Sequence, residues 1–499
     1  MITKDKVLKD YDIIKARAHK YFKENKYEQC LATIEAAAFL AYNFNFFYTD
    51  SILDDLVKKI GKKYSINLPN EKSDEKNVFY DSFGWDNRGL TQQYIRALIS
   101  TGKPLIYILE TDSTLNLGED IFNELKNYDW VEVIIISDNL TRLEKIIKIN
   151  EVLKKIEPTR IFTHKNPWNT VGNAVFSNLD NIEIFHINLT DHTFWLGANA
   201  ADYFLEFRNY GANISIQERN IPKEKVFILP YYPIVNSKSF NGFPIETKNK
   251  IKIFTGATFY KMYGDNGKFF HLIKSILNRN NDVVFLIAGS GYDLPIKEFI
   301  RSNNFEKRVF LLGDRKDINE VFANIDIYIP TYPYTGGLMV QFAALSLKPI
   351  VAYTKENLPF NIVEEIVMTN NHKITYFDDQ SFLNEVERLI SDKSYYDIVS
   401  KKMENTVVSE DTFNKNFLFF LKNKKTIIPI ISYNIDINIF ADIYLESENK
   451  YLNAYNGFLY RYFKSAGLKI EKKYYGNILK FILQISWIKF KVKFSQLSK

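Results

Sequence analysis

The segment His186–Gly197, which reads HINLTDHTFWLG, contains two of the six histidines in the chain. A histidine has an unperturbed pKa of about 6.5, so a nearby carboxylate can tune it for proton transfer near neutral pH. His192 is the candidate general base, with Asp191 or Asp202 as the carboxylate beside it. His186 is the alternative base. A buried histidine that satisfies a loop carbonyl is the competing structural interpretation.

Metal chemistry is not indicated by the residues available. Cys30 is the only cysteine, which excludes an intrachain disulfide and a cysteine-based metal site. His186 and His192 are not spaced to lie on one helical turn, and no third ligand is evident. We therefore expect no metal and no bound cofactor.

Glycines follow the predicted strands in the second half of the chain, in TGATFYKMYGDNGK (255–268), FLIAGSG (285–291) and PTYPYTGGL (330–338). Glycine allows close approach of the backbone to a ligand, and a helix that begins after such a turn offers free N–H groups and a positive dipole end. This chemistry suits a diphosphate, whose charge Lys261 could neutralise. The candidate donor-binding residues are Gly256, Lys261, Gly289, Gly291, Thr335, Gly336, Gly337 and Gln341.

A second glycine-bearing loop, DSFGWDNRGL (81–90), follows the first predicted strand and opens a helix. Its polar residues could hold hydroxyl or phosphate groups of a ligand, although loops of this composition are often only turns. The candidate ligand-binding residues of this loop are Asp86, Asn87, Arg88 and Gly89, and the resemblance described below implies that they bind the acceptor.

These residues require a scaffold of alternating strands and helices. Short β-branched or aromatic runs alternate with amphipathic stretches twice along the chain, which predicts two α/β units with parallel sheets. The predicted strands of the first unit are Val78–Tyr80, Leu105–Leu109, Val131–Ile136, Arg160–Thr163 and Ile182–His186. Those of the second are Ile251–Phe254, Val283–Ala288, Val309–Leu312, Ile325–Pro330 and Pro349–Tyr353. Helices are predicted at Thr91–Ser100 and Leu140–Lys155.

The two ends of the chain have different patterns. Residues 16–42 have apolar side chains at three- and four-residue spacing, which predicts a helical hairpin of tetratricopeptide type. One hairpin cannot form a solenoid, so it either caps the next domain or docks a protein partner. The last twenty residues interleave lysine with apolar and aromatic residues and contain no acid. They either pack on the protein or contact an anionic membrane surface.

Composition limits the class of protein. The chain has 499 residues, an aromatic content of 15% and a net charge of +6, which is low for a nucleic-acid-binding protein of this size. The N-terminus lacks the pattern of a secretory signal, and no apolar run approaches the length of a membrane span. We expect a protein of the reducing cytoplasm that does not bind nucleic acid, and the membrane-surface interpretation of the tail would place it at the inner face of the membrane.

The order FLIAGSG, FLLGD, PTYPYTGGL and KPIVA resembles the nucleotide-sugar domain of GT-B glycosyltransferases. The resemblance covers residues 78–425 in architecture and about 250–355 in motifs. It implies an α/β fold with two Rossmann-like domains facing a cleft. The implied domains are a helical extension (1–75), an acceptor domain (76–240), a nucleotide-sugar domain (241–425) and a basic aromatic tail (426–499).

Two residues depart from the pattern of the retaining members of this fold. Those members have two glutamates, separated by seven residues, that bind the donor sugar and ribose. Alignment on Pro330 and Leu338 places Tyr334 and Phe342 at those positions. The resemblance therefore favours inverting transfer, in which a base such as His192 deprotonates the acceptor hydroxyl.

The resemblance implies an enzyme that moves a sugar from a nucleotide diphosphate-sugar to a glycan, lipid-linked or protein acceptor, as in bacterial surface polysaccharide assembly. Three alternatives remain open at this level. They are a nucleotide-sugar epimerase, a glycerophosphate transferase, and a non-catalytic subunit of the same fold that binds a partner.

Overall fold

The computed structural model describes residues 1–69, 75–86, 90–236, 238–369, 372–466, 470, 472–483 and 486. The N-terminal helices are α1 (Lys4–Lys23), α2 (Tyr27–Phe44) and α3 (Ser51–Lys62). Thr3 caps α1 through its hydroxyl and Asp50 caps α3 through its carboxylate, which satisfies N–H groups that a helix leaves unpaired. The predicted hairpin is present as α1 and α2.

The first Rossmann-like domain consists of β1 (Asn77–Asp81), α4 (Thr91–Ile99), β2 (Leu105–Leu109), α5 (Glu119–Leu125), β3 (Val131–Ile135), α6 (Arg142–Ile156), β4 (Arg160–His164), α7 (Thr170–Phe176), β5 (Glu183–Ile187), β6 (Tyr203–Glu206), α8 (Asn209–Gln217) and β7 (Val226–Ile228). The strands form one parallel sheet in the order β3-β2-β1-β4-β5-β6-β7. The five predicted strands are confirmed, whereas β6 and β7 were not predicted.

The second Rossmann-like domain consists of β8 (Ile251–Gly256), α9 (Lys268–Arg279), β9 (Val283–Ala288), α10 (Leu294–Ser302), β10 (Val309–Gly313), α11 (Ile318–Ala323), β11 (Ile327–Tyr328), α12 (Gly337–Leu345), β12 (Ala352–Tyr353), β13 (Thr375–Tyr376), α13 (Asp379–Ser391), α14 (Lys393–Lys402) and α15 (Glu410–Asn423). Its parallel sheet has the order β10-β9-β8-β11, and a bridge from Tyr328 to Ile350 leads to the pair β12-β13. This arrangement confirms two Rossmann-like domains, the GT-B architecture.

Helix α15 returns to the first domain and packs on α4. Tyr94 contacts the rings of Phe413 and Phe417 edge to face, with centroids 5.2 and 5.5 Å away. Arg96 on α4 forms an ion pair of 2.8 Å with Glu410 on α15. The two domains are therefore joined both by the loop before β8 and by this helix.

The last described helices, α16 (Ile437–Lys450) and α17 (Ala454–Ala466), pack in different places. Phe440 and Tyr444 of α16 are buried against the second domain. Helix α17 packs on α2, and the buried Asp10 of α1 accepts hydrogen bonds from Tyr455 and Tyr474. A helical layer, defined here as α1–α3 with α17, is thus built from both ends of the chain.

The helical layer packs directly on the first domain. A Cβ at Gly61 of α3 would lie 1.9 Å from the main-chain oxygen of Ala174 in α7, so the two helices are in close contact. The helical layer therefore packs as a cap on this domain. Among the described residues, no helix combines the length and the apolar character that a bilayer crossing requires. The terminal lysines from Lys489 onward, to which the membrane-surface interpretation applies, lie outside the described residues.

Candidate functional site

Loops at the carboxyl ends of the strands of the first domain gather around Asp191 and His192, which follow β5. Nδ1 of His192 lies 3.1 Å from Oδ1 of Asp191. Nε of Arg208, which follows β6, donates a hydrogen bond of 2.6 Å to Oδ2 of the same carboxylate. The side chain of His192 is 20% exposed, whereas those of Asp191 and Arg208 are buried. His192 is therefore the member of this group that solvent and a substrate can reach.

The charge state of Asp191 determines the tautomer of His192. Burial raises the pKa of Asp191, but Arg208 and His192 lower it by more. The pKa of Asp191 therefore lies well below its ordinary value. An ionised carboxylate only accepts hydrogen bonds, so Nδ1 of His192 must carry the proton. The neutral ring then has its lone pair on Nε2. This is the arrangement that a general base requires.

The pKa of His192 lies below its ordinary value. Burial is the largest cause, and Lys261 and Arg208 lower it further, while Asp191 opposes these effects and raises it. Burial also lowers the pKa of Lys261 to about 8, against the attraction of Asp191. Lys261 belongs to the second domain, in a short 3-10 helix at Phe259–Met262 after β8. The two domains therefore place a histidine and a lysine close enough to affect each other's charge.

Arg219 holds the loop that carries His192. Its Nη2 donates to the main-chain oxygens of Thr190, Asp191 and Thr193, the shortest at 2.6 Å. Its guanidinium also lies over the ring of Trp195, 4.5 Å from the centroid. The loop conformation is thus fixed by a buried cation that bridges several carbonyls.

The glycines of the second domain form a cradle after β8, β9 and β11. A Cβ at Gly289, whose φ is +132°, would lie 1.9 Å from the main-chain oxygen of Ala257. A Cβ at Gly291 would meet Phe259, 3.5 Å away, and a Cβ at Gly336 would lie 3.9 Å from the main-chain oxygen of Gly256. The structure therefore brings these glycines together, and at Gly289 the loops approach too closely for any larger residue.

Helix α12 begins at this cradle, with Gly336 as its N-cap and Gly337 as its first residue. The first N–H groups of a helix have no partner within it and favour an anion. A Cβ at Gly337 would lie 2.9 Å from the hydroxyl of Tyr231, which belongs to the first domain. The helix N-terminus therefore faces the cleft between the domains.

Two other predicted donor residues are engaged within the protein. Nε2 of Gln341 donates a hydrogen bond of 2.8 Å to the main-chain oxygen of Tyr231, and Gln341 is 2% exposed. The main-chain N–H of Thr335 donates to Oδ1 of Asn361 at 3.0 Å. Gln341 joins the two domains and Thr335 fixes the loop before α12, so their side chains are not presented to a ligand in this structure.

Aromatic residues form the wall of the cleft next to His192. The ring of His192 lies 4.6 Å from that of Phe360 and 6.1 Å from that of Phe440 on α16. Tyr334 packs against Phe440 and against Tyr444, at 5.5 and 4.9 Å. The position where the retaining members have their first glutamate is therefore filled by a buried tyrosine that contacts α16. Phe342, at the second position, is also buried and packs in the core.

His186 and Asp202 lie apart from this group. His186 is 4% exposed, and its ring packs on Trp195 and Phe204 with centroids 4.7 and 5.9 Å away. Burial is the main reason why its pKa falls well below the ordinary value. Asp202 accepts a hydrogen bond of 2.9 Å from the N–H of Ile184. The structure therefore makes His186 a core residue, and Asp191 rather than Asp202 is the partner of His192.

The predicted acceptor loop is described only in part. Asp86 accepts hydrogen bonds from the N–H groups of Asp120 and Ile121, at 2.8 and 2.9 Å, in the first turn of α5. Its carboxylate is therefore used to cap a helix. The other three predicted acceptor residues lie outside the described residues: Asn87, Arg88 and Gly89.

The remaining charged candidates have structural partners. Lys268, the second lysine of the loop after β8, forms an ion pair of 2.6 Å with Asp379. Within the described part of the chain, no group of three or more histidine, cysteine, aspartate or glutamate side chains could hold a metal ion.

Sequence reasoning did not identify Arg208 and Arg219. Arg208 follows β6, which has only four residues and therefore gives a weak strand pattern. Arg219 lies beyond α8 in a segment with no motif. The available signal for Arg208 was the short, largely apolar run YFLEF (203–207) that precedes it.

Comparison with known proteins agrees with this architecture. Residues 251–392 match the family model described as "Glycosyl transferases group 1". A search of curated proteins finds no match. Among solved structures, Anabaena HepE in complex with UDP-glucose is 15% identical, with a TM-score of 0.52, over 70% of this chain and 99% of HepE.

Two further solved structures have similar scores. The lipopolysaccharide outer core galactosyltransferase WaaB is 16% identical, with a TM-score of 0.50, over 70% of this chain and 99% of WaaB. The Thermobaculum terrenum O-GlcNAc transferase is 10% identical, with a TM-score of 0.53, over 88% of this chain and 84% of that protein. These likenesses show the fold, and the family match adds the enzyme class. The chain has the GT-B fold, and its residues 251–392 match the group 1 glycosyltransferases, which identifies this part as a glycosyltransferase domain.

Proposed function

We propose that this enzyme transfers a sugar from a nucleoside diphosphate-sugar to a hydroxyl acceptor with inversion, and that His192 is the general base. The observation that carries the proposal is the contact between Nδ1 of His192 and the ionised Asp191, which leaves Nε2 with its lone pair. The depressed pKa of His192 keeps it neutral near pH 7, because its ordinary pKa is already about 6.5.

In the proposed reaction, the acceptor oxygen attacks the anomeric carbon while Nε2 of His192 takes the hydroxyl proton. The new C–O bond forms as the bond from the anomeric carbon to the diphosphate breaks, and the nucleoside diphosphate leaves with both bonding electrons. Asp191 stabilises the imidazolium that results. Arg208 keeps Asp191 ionised and in place.

The leaving diphosphate needs positive charge. The N-terminus of α12 and the ammonium of Lys261 supply it from the second domain in our proposal. Gly256, Gly289 and Gly336 line this cradle and have no side chain, which allows the backbone to approach the phosphates. Charge supplied in this way removes the need for a metal ion, so we propose a metal-independent enzyme.

The aromatic residues at the glutamate positions support inversion. Retaining members of the fold use the two acids there, and this chain has Tyr334 and Phe342 instead. Both are buried, at 2% and 3% exposure, and pack with other aromatic rings. His192 is then the group in the cleft that offers a basic atom to an acceptor.

We propose UDP-hexoses as donors and the hydroxyl of a glycan, lipid-linked or protein-bound, as acceptor. HepE was solved with UDP-glucose, and the other two named neighbours are a lipopolysaccharide galactosyltransferase and an O-GlcNAc transferase. Acceptors of these kinds are used in the assembly of bacterial surface glycans, which is the role that we propose. In this proposal the terminal lysines contact an anionic membrane surface.

The donor is tested by thermal unfolding with UDP-, GDP-, CMP- and dTDP-sugars and with the bare nucleotides. A ligand at a hundred times its Kd stabilises the folded protein by about 2.7 kcal/mol. We expect the UDP-sugars and UDP to raise Tm more than the other nucleotides do, and Lys261→Met to reduce that rise. Lys274→Met, on the exposed face of α9, is the matched control. No rise with any nucleotide would contradict the proposal.

A further inference from the structure

Asn45, the residue that ends α2, binds the loop of His192 through both ends of its side-chain amide. Its Nδ2 donates a hydrogen bond of 2.6 Å to the main-chain oxygen of His192. Its Oδ1 accepts one of 2.7 Å from the N–H of Phe194. Asn45 is fully buried, and its φ of 55° places it in the left-handed region, where asparagine is favoured at the end of a helix. The helical layer thus holds the loop backbone at the carbonyl of the candidate base and at the N–H two residues beyond it.

Asn45 completes a set of contacts that Arg219 begins. Arg219 binds the carbonyl oxygens of Thr190, Asp191 and Thr193. Asn45 binds the remaining one, that of His192. Four consecutive carbonyls are therefore held by two buried side chains, one from the first domain and one from the helical layer.

The contacts continue along the loop beyond Phe194. The N–H of Trp195 donates to the main-chain oxygen of Tyr48 at 3.4 Å. The carboxylate of Asp54 on α3 accepts from the N–H groups of Gly197 and Ala198, at 2.8 and 3.2 Å. The segment from α2 to α3 therefore follows the loop from residue 192 to residue 198.

We propose that Asn45 is a positioning residue for His192, and that the helical layer is a working part of the catalytic site. The backbone of His192 is fixed by Asn45 while its ring is fixed by Asp191, so both ends of the residue are constrained. Displacement of a catalytic group by about 1 Å can lower the rate about a hundredfold. The inference rests on the proposed role of His192, and its test separates the two.

Asn45→Gly is the informative substitution. Glycine adopts the left-handed conformation without strain, so the end of α2 is kept while both hydrogen bonds to the loop are removed. Asn25→Gly is the matched control, because Asn25 has φ 58° in the turn before α2 and, within the described part of the chain, its side chain accepts a hydrogen bond from the hydroxyl of Tyr27 alone. Asn45→Asp is a second variant, which keeps an acceptor for Phe194 and loses the donor to His192.

The readout is the NMR titration of the six histidines in protein labelled at Cε1, with His192 assigned from His192→Gln. Loss of the loop contacts exposes the ring, so we expect the His192 pKa in Asn45→Gly to rise towards the ordinary value of about 6.5. We also expect kcat to fall at least about tenfold with the KM for donor within about twofold, since the donor is bound by the other domain. Asn25→Gly should change neither.

An unchanged His192 titration in Asn45→Gly and in Asn45→Asp, with kcat within about twofold of the parent, would overturn the positioning role. The titration needs no substrate, so it reports on Asn45 even if the proposed reaction is wrong. If His192→Gln leaves turnover unchanged while Asn45→Gly still shifts the titration, the proposed function fails and the positioning relationship stands.

Discussion

Nη1 of Arg208 donates a hydrogen bond of 2.6 Å to the main-chain oxygen of Phe360, so a residue of the first domain binds the second domain across the cleft. The same guanidinium donates through Nε to Asp191, which orients His192. The main-chain N–H of Tyr210, two residues later, donates a hydrogen bond of 2.7 Å to the carboxylate of Glu365 in the second domain. The group that orients the candidate base is therefore also a contact between the domains, which couples its geometry to their relative position.

Arg208→Lys tests this coupling. Lysine keeps the charge but cannot present two N–H groups in the fixed geometry of a guanidinium, so it cannot bind Asp191 and Phe360 together. We expect a loss of about 1 to 3 kcal/mol in the free energy of unfolding, measured by denaturant titration, with a fall in kcat. Arg279→Lys, in an exposed ion pair with Glu387, is the control and should lose at most about 1 kcal/mol. Equal stability of the two variants would count against the coupling.

Asp191→Asn removes the charge that supports His192. We expect kcat/KM to fall by about 10² to 10⁴, because the ring loses its enforced tautomer. Asp191 raises the pKa of His192, so without it that pKa falls further and the ring stays unprotonated to lower pH. The acid limb of the kcat/KM profile should therefore move to lower pH.

Asp202→Asn is the control for this profile, since Asp202 binds only the N–H of Ile184 among the bonds described. Its acid limb should coincide with that of the parent enzyme. An acid limb of Asp191→Asn that stays in place or moves to higher pH would show that His192 is not the group that titrates.

Gly337→Ala should disturb the contact between the two domains at the N-terminus of α12. The added Cβ would lie 2.9 Å from the hydroxyl of Tyr231, whereas a Cβ at Gly336 meets nothing closer than 3.9 Å. We expect Gly337→Ala to weaken donor binding about tenfold or more by calorimetry, and Gly336→Ala to have a much smaller effect. Adding Tyr231→Phe to Gly337→Ala removes the clashing oxygen and should restore most of the affinity. If the double variant binds donor as weakly as Gly337→Ala, the clash with the hydroxyl of Tyr231 is not the cause of the lost affinity.

Gly289→Ala should disrupt the cradle itself. The Cβ would lie 1.9 Å from a main-chain oxygen, and the φ of +132° lies in a region that essentially only glycine occupies. Gly242→Ala is a control with a φ of +74° and open space around the Cβ. We expect Gly289→Ala to lose the rise in Tm with nucleotide, while Gly242→Ala loses some stability but keeps that rise. A full rise in Gly289→Ala would remove this glycine from the donor site.

The fold was largely predictable because buried parallel strands are continuous apolar runs. Leu105–Leu109 and Val283–Ala288 were predicted with the boundaries that the structure has. The strands that escaped prediction are short, such as β7 with three residues and β13 with two. Such segments are extended because they hydrogen-bond to neighbouring strands, and they have too few residues to show a strand pattern in the sequence.

The site was predictable only where its residues are neighbours in sequence. Asp191 and His192 are adjacent, so their pairing could be expected from the segment alone. Arg208 is 17 residues from Asp191 and Asn45 is 147 residues from His192, so only the folded chain brings them together. His186 illustrates the opposite case, since it lies near the end of β5 but packs in the core beside Trp195.

The central claim is that His192 removes the acceptor proton while the second domain binds the donor. The most direct measurement is the release of nucleoside diphosphate from the donor selected by thermal unfolding, with an acceptor present, in the parent enzyme and in His192→Ala. Donor binding is measured by calorimetry on the same samples. The account predicts a Kd within about twofold of the parent and release slower by about 10² to 10⁴. Release at the parent rate with binding intact would contradict it.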